Sequence, residues 1–135
     1  MSTSHLVLAF VLAAIATNLT DWFFFGVLFH KKYLVYPEVW WRPRGGAGET
    51  KAIVWSSLLS LLSIAGFILA CSAFSIRGYK PAFELAALIW LMAPLPMTIT
   101  NALFVKMHPL IVLTHCLGWF ARFMIVAIAV GWLLS

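Results

Sequence analysis

The sequence predicts an all-α, polytopic membrane protein: a single domain, residues 1–135, folded as a four-transmembrane-helix bundle. Hydrophobic residues make up 64% of the chain and charged residues only 10%, whereas a soluble domain carries about a quarter charged residues. Four apolar runs are long enough to cross a bilayer, which takes about 20 residues. These runs are continuous and do not alternate with a period of two, which favours helices over barrel strands.

The four predicted spans are separated by one long and two short connections. They cover residues 5–29, 52–76, 81–105 and 109–134. Span three contains Pro94 and Pro96, which remove helical N–H donors in mid-membrane, so we expect either a simple kink or carbonyls exposed to a cavity. Pro109 suits the first position of the helix in span four.

The long connection, residues 30–51, has the sequence HKKYLVYPEVWWRPRGGAGETK. Its tyrosine and tryptophan side chains favour the headgroup level of a bilayer, beside lysine and arginine. These aromatic residues are Tyr33, Tyr36, Trp40 and Trp41. A short interfacial helix around Tyr33 to Trp41 and an irregular loop anchored by the aromatic rings are both consistent with this pattern.

The basic residues predict an orientation. The loops after spans one and three hold six of them: Lys31, Lys32, Arg42, Arg44, Lys51 and Lys106. The opposite side holds only Arg77 and Lys80. The positive-inside rule then places loop 30–51 in the cytoplasm and both termini outside, as expected for a bacterial inner-membrane protein. Because these charges lie between apolar runs and form no single patch, the net charge of +5 does not indicate nucleic-acid binding.

Polar side chains recur at helical spacing inside three spans. They are Asn18 and Asp21 (with Phe25) in span one, Thr98 and Asn101 (with Pro94) in span three, and His115 and Arg122 (with Gly118) in span four. Ionisable residues at membrane depth are costly and usually face the bundle interior, where they pair with one another or mark a site. These faces therefore predict a polar interior.

The rise of about 1.5 Å per helical residue places four of these side chains in the cytoplasmic half. Asp21 lies roughly 13 Å inward, His115 about 9 Å, Arg122 roughly 20 Å and Asn101 about 6 Å. Arg122 keeps its charge and needs an anion or another acceptor, so we expect Asp21 to pair with it. We expect His115 and Asn101 to complete the hydrogen bonds. Such a cluster either fixes helix register or forms a ligand or proton site.

Two further patterns are weaker. His30 and His108, with Met107 and His115, lie towards the cytoplasmic face, but no ligand spacing indicates a metal or haem, so no cofactor is predicted. In span two, small residues form a stripe that predicts close helix packing or an oligomer interface. These residues are Ser56, Ser60, Ser63, Gly66 and Ala70.

Two short motifs resemble a known family. One is the aromatic end of span one, DWFFFGVLF (Asp21 to Phe29), and the other is TITNALF (Thr98 to Phe104) at the end of span three. Together they resemble an uncharacterised family of small four-helix membrane proteins, domain of unknown function seventeen sixty-one. The resemblance implies a fold and no activity, so no site residue is carried over from it.

Three functions fit the sequence. The first is binding or translocation of a small ligand or proton at a site of Asp21, Arg122, His115, Asn101, Asn18 and Thr98, with transport requiring a homo-oligomer. The second is a membrane enzyme with His115 or Asp21 as general acid or base on a lipid or isoprenoid, and with Trp22 and Trp119 lining its cavity. The third is an accessory subunit of a larger membrane complex, with a dry core. The partner common to all three is the lipid bilayer.

Overall fold

The computed structural model describes residues 3–36, 38 and 46–134, and these residues form helices and short connections without a strand. The all-α prediction is therefore confirmed. Four helical stretches are long and apolar enough to cross a membrane: Thr3–Leu28, Ala47–Ala73, Tyr79–Phe104 and Pro109–Leu133. Their regular helices are α1 (Thr3–Asp21), α2 (Ala47–Ala73), α3 (Tyr79–Met92), α4 (Pro94–Phe104) and α5 (Pro109–Leu133).

The first stretch changes its helical pitch directly after Asp21. Residues Trp22–Leu28 form a π-helix, and the Phe29 N–H donates to the Phe24 carbonyl, five residues earlier, at 3.1 Å. A tight 3-10 turn, His30–Leu34, follows it. Because π-helical segments are rare and often occur at functional sites, this change of pitch makes the C-terminal end of the first stretch a candidate part of a site.

The long connection is shorter than predicted because residues 47–51 belong to α2. The Gly46 carbonyl accepts the N–H groups of Glu49 and Thr50 at 3.0 and 3.3 Å, and the Glu49 carboxylate in the first turn suits the positive end of the helix. Where the predicted interfacial helix begins, the described residues form the 3-10 turn His30–Leu34. The second half of the predicted helix, with Trp40 and Trp41, lies outside the described residues, as do Arg42 and Arg44.

The second stretch ends three residues before the predicted boundary at residue 76. Ser75 has a φ of 55°, which places it in the left-handed region. The N–H groups of Ser75 and Ile76 donate to the carbonyls of Ser72 and Cys71 at 3.3 and 2.8 Å. This is a Schellman cap, and it ends α2 before the short connection to α3.

The third stretch is broken at Ala93, where the sequence predicts a kink. Ala93 has a φ of −133° and a ψ of −68°, and α4 begins at Pro94. Pro94 and Pro96 have no N–H, so the carbonyls of Trp90 and Met92, four residues earlier, lose their helical donors. The kink is confirmed, and it separates α3 from α4 in the middle of the stretch.

Helix α5 is the centre of the bundle and packs against each of the other four helices, most extensively against α3 and α1. The partners approach it with small buried residues: Ala9, Ala13 and Thr17 on α1, and Ala82 and Ala86 on α3. Near its end, a Cβ atom on Gly131 would lie 2.9 Å from the Tyr79 Cα atom. Small side chains thus set the helix spacing here, as expected in membranes.

The close packing predicted for the small-residue stripe of span two is only partly present within the chain. Ser60 is buried, but Gly66 has open space where a side chain would be. Larger residues form most of the buried face of α2: Ile64, Phe67, Ile68 and Cys71. The packing prediction is wrong for Gly66, because α2 lies at the edge of the bundle. The oligomer interface on this stripe stays a prediction.

Candidate functional site

The predicted ion pair between the first and last stretches is present. The Arg122 Nη2 donates to the Asp21 Oδ2, and the two side chains are only 11% and 21% exposed. The guanidinium carbon also lies 4.4 Å from the centre of the Trp119 ring, a cation–π contact. Arg122 Nε is buried without a hydrogen-bond partner in the described part of the chain. One carboxylate and one aromatic face therefore hold this buried cation.

His115 is not part of the ion pair. Its Nε2 lies 3.2 Å from the Tyr33 hydroxyl, and its ring centre lies 5.0 Å from that of Phe25. His115 is seven residues from Arg122, about 10 Å along the helix axis. The prediction that His115 completes the hydrogen bonds of the pair is therefore wrong, because two helical turns separate it from Arg122. Asn101, on α4, makes no hydrogen bond to the pair within the described residues either.

Of the other predicted polar residues, one is hydrogen-bonded within its own helix and two line a cavity. Asn18 Nδ2 donates to the Ala14 carbonyl of its own helix at 2.8 Å, which satisfies this amide locally. Thr98 is half-buried and Asn101 is exposed, and both line a cavity together with His115. The sequence thus predicts one cluster, and the structure contains two separate groups.

The inner cavity, as we call it, has a volume of about 450 Å³ and lies between α4 and α5, beginning at the proline break. Its wall includes Pro94, Met97, Thr98, Asn101, His115 and Trp119. The volume lies in the range of about 300–1,000 Å³ that is usual for ligand pockets. Met97 and Asn101 are exposed, so the cavity opens sideways at the surface of the bundle, and its wall is mostly apolar.

The walls of this cavity are fixed by contacts across the bundle. The Trp90 Nε1 donates to the Cys116 carbonyl at 2.9 Å, which ties α3 to α5 just before the proline break. On the other side, a Cβ atom on Gly118 would lie 3.2 Å from Phe25 Cζ. The π-helix and α5 therefore approach closely beside His115, and the packing of Phe25 depends on the missing side chain at Gly118.

An outer cavity of about 220 Å³ lies next to the inner one, at the cytoplasmic end predicted from the charge bias. It is lined by Lys32, Tyr33, Tyr36, Lys106, Met107 and His108, and also by His115. Lys32, Tyr33 and Tyr36 belong to a segment that we call the strap, residues 30–36 together with Glu38. Val105 and Ile111 complete its wall, which is mostly apolar and carries two lysines and two tyrosines.

The strap is tied to the connection between α4 and α5 by an exposed ion pair. Lys106 Nζ donates to Glu38 Oε1 at 2.8 Å, with the side chains 59% and 55% exposed, and lies 4.4 Å from the centre of the Tyr36 ring. The hydrogen bond from Lys106 lowers the pKa of the Glu38 carboxyl below its ordinary value. The same bond raises the pKa of Lys106.

The histidines considered as metal ligands have other positions. His30 is exposed at the start of the 3-10 turn. His108 precedes α5, and its Nδ1 accepts the N–H of Leu110 at 3.1 Å, so it caps that helix. Across residues 3–36, 38 and 46–134, no group of three or more His, Cys, Asp or Glu side chains is placed to hold a metal ion.

Sequence reasoning missed several residues that shape the site. Tyr33 carries no local signal for its bond to His115, which depends on the fold of the strap. Lys106 and Glu38 are 68 residues apart, and their pairing has no local signal either. Trp119 was expected to line a cavity and does so. Trp22 was expected beside it but is 66% exposed, because it points away from the bundle.

Comparison with known proteins gives a family and nothing more specific. The model of one family, described as Protein of unknown function (DUF1761), matches residues 8–131. The chain belongs to this family. The resemblance seen in the two short motifs is thereby confirmed, and the match extends over all four long helical stretches. No curated protein and no solved structure matches the chain.

Proposed function

We propose that the protein is an integral membrane protein whose four long stretches cross the bacterial inner membrane. Their length and apolar composition support this, as do the apolar side chains exposed along α1, α2 and α5. The six-to-two bias of basic residues supports a cytoplasmic loop 30–51 and external termini.

Within that membrane the protein binds a small ligand in the inner cavity. The observation that carries this proposal is a largely apolar cavity at the proline break, with His115, Thr98 and Asn101 as its convergent polar groups. A few placed polar groups in an apolar wall are typical of small-molecule sites. The same cavity favours binding over a purely accessory role, since a subunit that makes only packing contacts needs none.

The Asp21–Arg122 pair supports this site indirectly, through its contact with a residue of the cavity wall. Neither of its side chains lines the inner or the outer cavity. Arg122 contacts the ring of Trp119, and Trp119 forms a wall of the inner cavity. The pair therefore serves to position Trp119, and the ligand contacts the histidine side of the bundle. Proton or ligand translocation and oligomerisation stay predictions.

A second candidate function is acid–base catalysis on a ligand in the same place. It is favoured by the bond between His115 Nε2 and the Tyr33 hydroxyl, because a paired imidazole and phenol beside a cavity can pass a proton. In this case His115 would be the catalytic residue, and the substrate would be a lipid or an isoprenoid.

The test is native mass spectrometry of the protein purified in a neutral maltoside detergent. Ala93 lines the inner cavity and is exposed, so Ala93→Phe fills the cavity without disturbing the core. We expect the wild-type protein to retain a co-purified mass that this variant loses. A bound mass that changes on incubation would indicate the enzyme.

The matched control is Ala52→Phe, which makes the same change at an exposed position of α2, away from both cavities. It is expected to keep the bound mass. If the wild type and both phenylalanine variants carry the same masses, the ligand does not occupy the inner cavity and the proposal is wrong.

A further inference from the structure

The inner and outer cavities meet at two shared residues. His115 and Met107 line both of them, so their side chains form the partition between the two spaces. From the partition the inner cavity extends towards Pro94, about 10 Å along α4 from the level of Asn101. The outer cavity extends the other way, to the connection between α4 and α5. The two spaces are therefore aligned along the bundle axis.

The two spaces differ in charge. The wall of the inner cavity contains no residue with a permanent charge. The outer cavity is lined by Lys32 and Lys106, together with His108 and the two strap tyrosines. A carboxylate, Glu38, pairs with Lys106, which leaves the charge of Lys32 as the net positive charge of the wall. Such a wall attracts an anion, and lysine is a common phosphate binder in proteins.

We propose that the two cavities form one site for an amphiphile with an apolar chain and a phosphate headgroup. The chain occupies the inner cavity against Trp119, and the phosphate lies in the outer cavity near Lys32 and Lys106. This inference rests on the proposed function, since it names the ligand class of the same cavity. It adds the headgroup position, which depends on the strap.

Glu38 competes with an anionic ligand for the ammonium group of Lys106. Its carboxylate occupies Lys106 by accepting a hydrogen bond at 2.8 Å. An incoming phosphate competes with Glu38 for this ammonium group, because both offer anionic oxygens to it. Removing the carboxylate is therefore expected to strengthen phosphate binding, whereas removing the ammonium group is expected to weaken it.

The experiment measures binding of dodecyl phosphate to the full chain in maltoside micelles by native mass spectrometry. Dodecanol, with the same chain and no charge, and inorganic phosphate, with no chain, are compared with it. A lysine near an anionic headgroup contributes roughly fivefold in affinity. We expect dodecyl phosphate to bind at least about fivefold more tightly than dodecanol, and inorganic phosphate to bind far more weakly.

Charge variants then test the headgroup position. Lys106→Gln is expected to weaken dodecyl phosphate binding about fivefold, and Glu38→Gln to strengthen it by a similar factor. The matched control is Lys80→Gln, which removes a lysine from an exposed pair with Glu84 at the other end of the bundle and is expected to change nothing. The gain in Glu38→Gln cannot arise from misfolding, so it remains decisive if another variant unfolds.

The outcomes separate this inference from the proposed function. If dodecanol binds as tightly as dodecyl phosphate and Ala93→Phe abolishes both, the cavity binds ligand but the phosphate assignment is wrong. Inorganic phosphate binding as tightly as dodecyl phosphate, unaffected by Ala93→Phe, would overturn the amphiphile and indicate a free anion. If Ala93→Phe leaves the binding of both amphiphiles unchanged, the inference and the proposed function fail together.

Discussion

Two polar side chains on α5, Arg122 and His115, lie two turns apart and have different surroundings. Arg122 is buried, paired with Asp21 and covered by Trp119. His115 lies in the wall between two cavities and is hydrogen-bonded to Tyr33 of the strap. Arg122 thus has its charge neutralised within the protein, whereas His115 faces space that a ligand can occupy.

This difference shows how a permanent charge and a titratable ring are accommodated at two levels of the same helix. A guanidinium keeps its charge in proteins, so in an apolar bundle it needs a carboxylate in a fixed place. An imidazole can be neutral, so it tolerates an open, apolar cavity. In this bundle the ionised pair lines neither cavity, whereas His115 lines both.

The largest expected effect comes from breaking the buried pair. Asp21→Leu leaves the Arg122 charge unpaired in an apolar interior, and losing one partner of a buried pair costs about 3–5 kcal/mol of unfolding free energy. The double variant Asp21→Leu/Arg122→Leu is expected to recover most of this loss, because no buried charge remains. Denaturant unfolding in detergent, followed by tryptophan fluorescence, measures both. A stable Asp21→Leu protein that has lost only its ligand would instead make the pair the site.

The next effect concerns Trp119, which contacts Arg122 of the ion pair and also lines the inner cavity beside His115. Trp119→Leu removes the cation–π contact with Arg122, which is worth about 0.5–2 kcal/mol, and also removes a wall of the inner cavity. We expect a moderate loss of unfolding free energy together with weaker ligand binding. The control is Trp22→Leu, at an exposed position outside both cavities. Equal effects of the two variants would contradict the assigned role of Trp119.

A smaller effect is expected at the contact between His115 and the strap. Tyr33→Phe removes only the hydroxyl that lies 3.2 Å from His115 Nε2, and a hydrogen bond of this kind contributes about 0.5–1.5 kcal/mol. A double-mutant cycle with His115→Phe measures the coupling free energy directly. A coupling free energy near zero would mean that this hydrogen bond does not stabilise the packing of the strap against α5.

The smallest effect is expected at the exposed pair of Glu38 and Lys106, which contrasts with the buried pair. The pKa of Glu38 is lowered, so its contribution is present above its ordinary value of 4.5 and is lost as pH falls through the lowered value. The pKa of Lys106 is raised, so its contribution is present below its ordinary value of 10.5 and is lost as pH rises through the raised value. The ion pair between Glu38 and Lys106 is therefore present across neutral pH.

The carboxyl ¹³C chemical shift of Glu38, followed by NMR through an acid titration, measures this directly. The midpoint is expected below 4.5 in the wild type. In Lys106→Gln it is expected to return towards that value, because the hydrogen bond that lowers the pKa is lost. A midpoint that is the same in both proteins would show that the pair does not form in solution.

Much of the fold could be predicted from the sequence. Apolar runs of spanning length determine the four long helical stretches, because the length of a span is a local property of the chain. The break before Pro94 is also local, since it follows from a missing N–H. The pairing of Asp21 with Arg122 could be predicted as well, because a permanent buried charge has few partners available in so short a chain.

Other features were decided by tertiary structure alone. The position of Asn101 relative to the ion pair depends on how α4 packs against α5, since Asn101 and Arg122 lie on different helices. The bond of Tyr33 to His115 and the pairing of Glu38 with Lys106 depend on the path of the strap. The two cavities likewise arise from helix placement. Charge and hydropathy are properties of single residues and short runs, whereas a cavity is defined by side chains distant in sequence, and only the folded bundle brings those together.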